Sequence, residues 1–223
     1  MSAGPTPIVV LLSGRGSNLQ AILDAVRNQQ LPIAVRAVFS NNPQAAGLRH
    51  ASQAGVPTEV IDHRTFTDRS EFDQALMHAI DRHGPVLVVL AGFMRILGPE
   101  FIQHYAGRLI NIHPSLLPAF TGLNTHARAL AAGARVHGAS VHYVTNDLDG
   151  GPVIAQARVP VLAGDTAERL SERVLEAEHH LFPTVLRWLV ERRVTLRDGQ
   201  VLLDGTRHPD QGLTGPDPVA EAS

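Results

Sequence analysis

Residues 8–12, 33–40, 56–61, 86–91 and 108–112 are each apolar or β-branched over strand length, with few polar interruptions. Runs of this kind suit strands covered on both faces, as in a parallel sheet flanked by helices. Between them lie segments of helical period. Leu19, Ile22, Leu23 and Val26 repeat at i, i+3, i+4, i+7 and predict a helix that begins near Ser17 or Asn18. Residues 45–54 predict a short helix ending at Gly55, and Phe72, Leu76, Ala79 and Ile80 share one face of a helix starting near Asp68. This alternation predicts an α/β fold: a Rossmann-like, doubly wound, mostly parallel sheet.

The second half of the chain changes pattern. Residues 125–132 read as a helix, and residues 138–144 and 153–161 as strands. The turn between these strands, residues 147–152, is too short for a crossover helix, so an antiparallel hairpin added to the parallel sheet is expected. Asp165-Thr166-Ala167-Glu168 has capping-box spacing ahead of a long helix carrying Leu170, Val174, Ala177, Leu181 and Val185. Pro183 should kink that helix. A small hairpin is expected over residues 194–203. The organisation expected is a flexible N-terminus over residues 1–7, a single domain over 8–205, and a disordered Gly-, Pro- and Asp-containing tail over 206–223.

Composition narrows the function classes. The 223 residues are 44% hydrophobic and only 4% aromatic, with a formal charge of −2 and no long charge run, which argues against a nucleic-acid surface. There is no cysteine, so disulfides, thiolate catalysis and Cys-ligated zinc are excluded. The first apolar run is too short for a signal-peptide core, and none approaches the roughly 20 apolar residues that span a bilayer. A cytoplasmic protein acting on small molecules is expected, without a membrane or nucleic-acid partner; the oligomeric state stays open.

Three stretches carry candidate chemistry. Ser13-Gly14-Arg15-Gly16-Ser17-Asn18 joins a strand to a helix N-terminus, where backbone N–H groups and the helix dipole favour an anion. It is neither the dinucleotide fingerprint, since Leu19 stands where a third glycine would, nor a P-loop; the alternative is a tight turn capped by Ser17 or Asn18. Residues 92–99 leave a strand end with apolar side chains and one charge, Arg95, and could line a pocket for a flat ring or be anchored in the core. Asn111-Ile112-His113-Pro114-Ser115-Leu116-Leu117-Pro118 ends a strand and turns at two prolines. Strand alternation puts Asn111 and His113 on one face, at the edge where open α/β sheets bind ligands. The competing reading bonds both side chains to loop backbone. No metal-ligating pattern such as His-Glu-X-X-His is present.

Taken together, Ser13–Asn18, Arg36-Ala37-Val38-Phe39-Ser40-Asn41, Leu90-Ala91-Gly92-Phe93-Met94-Arg95-Ile96-Leu97, Asn111–Pro118 and Asp149-Gly150-Gly151-Pro152 resemble the phosphoribosylglycinamide formyltransferase family, in its order and over nearly all of residues 8–205. The resemblance implies transfer of a formyl group from 10-formyltetrahydrofolate to the amine of glycinamide ribonucleotide in purine biosynthesis, without a metal. It implies that Gly16, Ser17 and Asn18 hold the nucleotide, with Glu178 near its glycinamide end. Arg69, Met94, Arg95, Ile96 and Leu97, with Asn111, would bind the folate, and Asn111, His113 and Asp149 would be the catalytic trio. In that trio Asn111 and His113 donate to the developing oxyanion while Asp149 orients the imidazole and favours its charged form. The chain departs from the family at Thr121, usually proline, and Asn124, usually histidine, which leaves that loop's contacts open. The rival expectations are another member of the superfamily, such as a formyltetrahydrofolate hydrolase, and a non-catalytic nucleotide-binding protein.

Overall fold

The computed structural model describes residues 4–207 and 213–214, which fall in two compact units meeting at the Asn111–Ile112 bond. Residues 1–3 of the expected lead-in and most of the expected tail lie outside the described residues.

The first unit contains β1 (Thr6–Leu12), α1 (Ser17–Arg27), β2 (Ile33–Ser40), α2 (Gly47–Gln53), β3 (Thr58–Val60), α3 (Arg69–Asp81), β4 (Leu87–Leu90), α4 (Pro99–His104) and the start of β5 (Leu109–His113). Its strands are all parallel, in the order β3-β2-β1-β4-β5. The chain builds outward from β1 through β2 to β3, then returns to β1's other side with β4. The switch point therefore lies between β1 and β4, and the loops leaving their carboxyl ends flank the crevice where such sheets bind ligands. Every residue from Ile8 to Leu12 is fully buried, which explains the unbroken apolar run.

The second unit contains the end of β5, α5 (Thr125–Ala131), β6 (Val136–Tyr143), β7 (Val153–Pro160), α6 (Ala167–Val190), β8 (Val194–Arg197), β9 (Gln200–Leu203), β10 (Thr206–Arg207) and β11 (Leu213–Thr214). β6 and β7 form the expected antiparallel hairpin, with a register shift between Val141 and His142, and α6 packs on both strands. β8, β9 and β10 form a separate small antiparallel sheet, and β11 runs parallel beside Ala155 and Gln156 of β7. The class is α/β, with a mostly parallel sheet and an antiparallel hairpin.

Some local expectations shift. The cap of α6 is Thr166 rather than Asp165: the Thr166 hydroxyl accepts from the Arg169 N–H, while the Asp165 carboxylate accepts from Leu162 N–H and Arg173. Pro183 lies inside α6, which is helical on both sides of it, and so does not end the helix. The expected strand over 56–61 shortens to three residues, and α4, a six-residue helix with Pro99 in its first turn, is an addition.

Candidate active site

In the first unit, α1 begins without a side-chain cap. Its N-cap is Gly16, at φ 77°, and neither Ser17 nor Asn18 takes that role. Gly16 is required twice over: its φ is left-handed, and a Cβ there would lie 2.4 Å from the Gly47 Cα. The Gly47 N–H donates to the Gly14 carbonyl at 3.0 Å, so α2's start braces the turn. The N–H groups of α1's first turn have no intrahelical acceptors, and the turn carries no acidic residue. An anionic group is the natural complement.

The loop after β4 carries Met94, Arg95, Ile96 and Leu97. Met94 and Ile96 are 73% and 63% exposed, whereas Leu97 is buried. Arg95 lies over the Phe72 ring at 4.8 Å. The loop's far end is fixed by Asp73, whose carboxylate accepts the Gly98 N–H at 2.7 Å and lies 3.8 Å from Arg69 Nε. Burial pushes the Asp73 carboxyl up, against the smaller opposing pull of the Gly98 N–H and Arg69. The loop's near end meets the Gly-rich turn: the Ser13 N–H donates to the Gly92 carbonyl at 3.0 Å, and the Met94 N–H donates to Ser13 Oγ at 2.7 Å. Arg69, Arg95 and the Gly-rich turn are thus all tied to one loop. Asn111 follows on β5, which pairs with β4.

In the second unit, His113 ends β5, buried, with both ring nitrogens facing oxygen. Nε2 lies 3.0 Å from the Phe120 carbonyl, and Nδ1 lies 3.5 Å from Asp149 Oδ2. Asp149 sits at φ 52° in the turn after β6. Its carboxylate also accepts the Gly122 N–H at 2.8 Å, and its other oxygen is 3.8 Å from His142 Nε2. Each ring nitrogen of His113 thus faces an oxygen, the carbonyl on one side and the carboxylate on the other. Burial depresses His142, whose Nδ1–H donates to the Tyr143 carbonyl at 2.9 Å. Gly151 completes the turn at close quarters, since a Cβ there would fall 1.8 Å from the Tyr143 carbonyl oxygen.

The proline-flanked turn after His113 is held by a buried polar network. Ser140 Oγ donates to the Ser115 carbonyl at 2.6 Å and accepts the Leu117 N–H at 3.0 Å, while Gln156 Nε2 donates to the Leu117 carbonyl and to Ser140 Oγ. The Leu117–Pro118 peptide is cis. Asn124 is the N-cap of α5 in the left-handed region, at φ 56°, a conformation asparagine adopts readily. Thr121 contributes its carbonyl, which accepts from Arg128. Glu178 is buried on α6.

His142 and Asp73 belong to the site without a motif that marks them in the sequence. His142 lies in a strand-like run, and the register shift beside it leaves no mark in the sequence. Asp73 had a faint signal: a carboxylate three residues before Leu76 and seven before Ile80, on the apolar stripe of α3.

The family described as formyl transferase matches residues 6–186. The phosphoribosylglycinamide formyltransferase of Escherichia coli (strain K12) is 53% identical over 205 residues, which cover 92% of this chain and 97% of that protein. The trifunctional purine biosynthetic protein adenosine-3 of Homo sapiens is 46% identical over 189 residues, 85% of this chain but 19% of that much longer protein. The structure of the phosphoribosylglycinamide formyltransferase of Coxiella burnetii superposes with a TM-score of 0.92 at 53% identity, covering 95% of this chain and 100% of that one.

Proposed function

The chain belongs to the formyl transferase family, and from that premise we propose that it moves the formyl group of 10-formyltetrahydrofolate to the amine of glycinamide ribonucleotide, a step of purine biosynthesis. The observation that carries this reading is 53% identity to a phosphoribosylglycinamide formyltransferase along 92% of the chain. The uncapped, acid-free start of α1 supports it, because that is where a nucleotide phosphate is best received.

The chemistry is acyl transfer to a neutral amine. The amine attacks the formyl carbon, the formyl oxygen becomes an oxyanion, and the folate nitrogen leaves with a proton. Asn111 donates its amide N–H to the oxyanion, worth about 3 kcal/mol of barrier for one such donor. His113 donates from Nε2: its present acceptor, the Phe120 carbonyl, is chemically the same kind of group as a formyl oxygen, which would take that place. Asp149 holds Nδ1 and so aims the ring. Gly16, Ser17 and Asn18 receive the phosphate, and Glu178 serves the glycinamide end. Arg69 and residues Met94, Arg95, Ile96 and Leu97 line the folate site, with Asn111 contributing to it. No step needs a metal. No helix among the described residues is long and apolar enough to cross a membrane. The cytoplasmic location is part of the proposal and rests on the proposed activity alone.

The test is direct. Purified protein with glycinamide ribonucleotide and 10-formyltetrahydrofolate should yield the formylated nucleotide and tetrahydrofolate in equal amounts. Release of formate at the same rate with the nucleotide omitted would instead identify a hydrolase.

A further inference from the structure

Ser13 lies at the switch point between β1 and β4, and it bonds to two other loops at once, those after β4 and β2. Its backbone N–H donates to the Gly92 carbonyl at 3.0 Å, extending the β1–β4 ladder by one step past Leu90. Its hydroxyl accepts the Met94 N–H at 2.7 Å and donates to Asn41 Oδ1 at 2.6 Å. Asn41 in turn is bonded to His63: its Nδ2 lies 3.3 Å from His63 Nδ1, and its carbonyl 3.1 Å from the same nitrogen. The Asn42 side chain reaches the Ser13 carbonyl at 3.4 Å. One hydroxyl therefore stands between the Gly-rich turn that opens α1 and the exposed loop holding Met94.

We propose that Ser13 is a positioning residue that couples the two substrate sites, so that occupancy of the turn over residues 16–18 tightens binding at the loop over residues 92–98, and the reverse. The inference rests on the assignment of nucleotide and folate to those two loops. Its physical basis is ordering. Residues 14 and 15 are exposed, as are Met94 and Ile96, so each segment loses conformational freedom when it closes on a ligand. Because the Ser13 hydroxyl is the acceptor for Met94 and the Ser13 backbone is the donor for Gly92, fixing Ser13 fixes the loop's first three residues. The ligand that arrives second then meets a segment already ordered, which is positive coupling without a change of shape. By linkage the effect is equal in both directions. Alanine removes the hydroxyl while leaving the backbone bond; threonine keeps both.

Calorimetry on the full chain reads the coupling. Wild type, Ser13→Ala and Ser13→Thr are titrated with glycinamide ribonucleotide, alone and with saturating tetrahydrofolate, which has no formyl group to transfer. Tetrahydrofolate should lower the nucleotide Kd by about fivefold in wild type and in Ser13→Thr. Ser13→Ala should bind each ligand singly within about twofold of wild type yet lose most of that coupling. Undiminished coupling in Ser13→Ala, or none in wild type, overturns the proposal. Amide hydrogen exchange at Met94 in the unliganded protein gives an independent reading. It should be about fivefold faster in Ser13→Ala, the loss of one modest hydrogen bond, and an unchanged rate would remove the proposed clasp. Should neither ligand bind wild type, the assignment of substrates is what has failed, and the exchange comparison judges the clasp by itself.

Discussion

Asp149 holds a left-handed backbone at φ 52° and a carboxylate shared among His113, His142 and the Gly122 N–H. Asparagine tolerates that backbone and can still accept from Gly122, but it carries no charge for His113. Asp149→Asn should therefore fold normally and cut kcat by about 10²–10³-fold, the range for one lost oxyanion donor, because His113 is no longer aimed. Binding of glycinamide ribonucleotide should stay close to wild type. A variant with near-normal turnover across neutral pH would show that the carboxylate does not serve His113. Gly16 is limited by space rather than charge. Gly16→Ala forces a left-handed alanine and presses its Cβ onto Gly47, a backbone contact that no side-chain rotation relieves. A loss on the order of 2–3 kcal/mol of stability is expected, read as a fall in Tm, together with weaker nucleotide binding as α1's first turn is displaced. An unchanged Tm would mean that the turn relaxes freely.

Among the elements, α3 shows how a cap can reach a ligand site. Its N-cap Asp68 accepts the Glu71 N–H at 2.9 Å, which presents Arg69 as the first helical residue, and Asp73 one turn later grips the Gly98 N–H. Asp68→Ala should cost about 1 kcal/mol of stability and raise KM for the folate while leaving KM for the nucleotide alone. Equal KM values in variant and wild type would separate the cap from the site. The strands and longer helices of this sheet were legible in the sequence because burial on one or both faces imposes a period. What was not legible had no period to show. α4 spans only six residues, and β3 was expected but keeps only three residues of the run 56–61. The α6 cap fell one residue past the expected Asp165, because that carboxylate is engaged by Arg173 and the Leu162 N–H. At the site, His113 and Asp149 could be named from motif resemblance. His142 and Asp73 could not, since a strand bulge and a helix-to-loop bond between residues 25 apart are decided by tertiary packing.

For the molecule as a whole, the buried histidines set the response to acid. His137 is buried on β6, with its ring 5.3 Å from that of His126, and burial together with the fields of His126 and His113 pushes it down to about 4. Burial also depresses His126, His142 and His179. A base whose folded value lies below its unfolded 6.5 binds fewer protons when folded, so its contribution is complete above that pH and is lost as pH falls towards 4. His137 alone should remove on the order of 2 kcal/mol by pH 4.5. Asp73 works in the opposite sense: burial raises its carboxyl, so protonation in acid relieves a cost and offsets part of the loss. Asp62 and Asp165 are held near 2 by their Arg64 and Arg173 partners, so their contribution begins to fall only below about pH 4 and vanishes towards pH 2. Thermal melts should accordingly show a first fall in Tm between pH 6.5 and 4 and a second below it. His137→Gln, a neutral side chain of similar reach, should make the first fall shallower by the share of His137 and leave the second in place. A Tm that is level from pH 7 to 5, or a His137→Gln profile parallel to wild type, would assign the acid response to other groups.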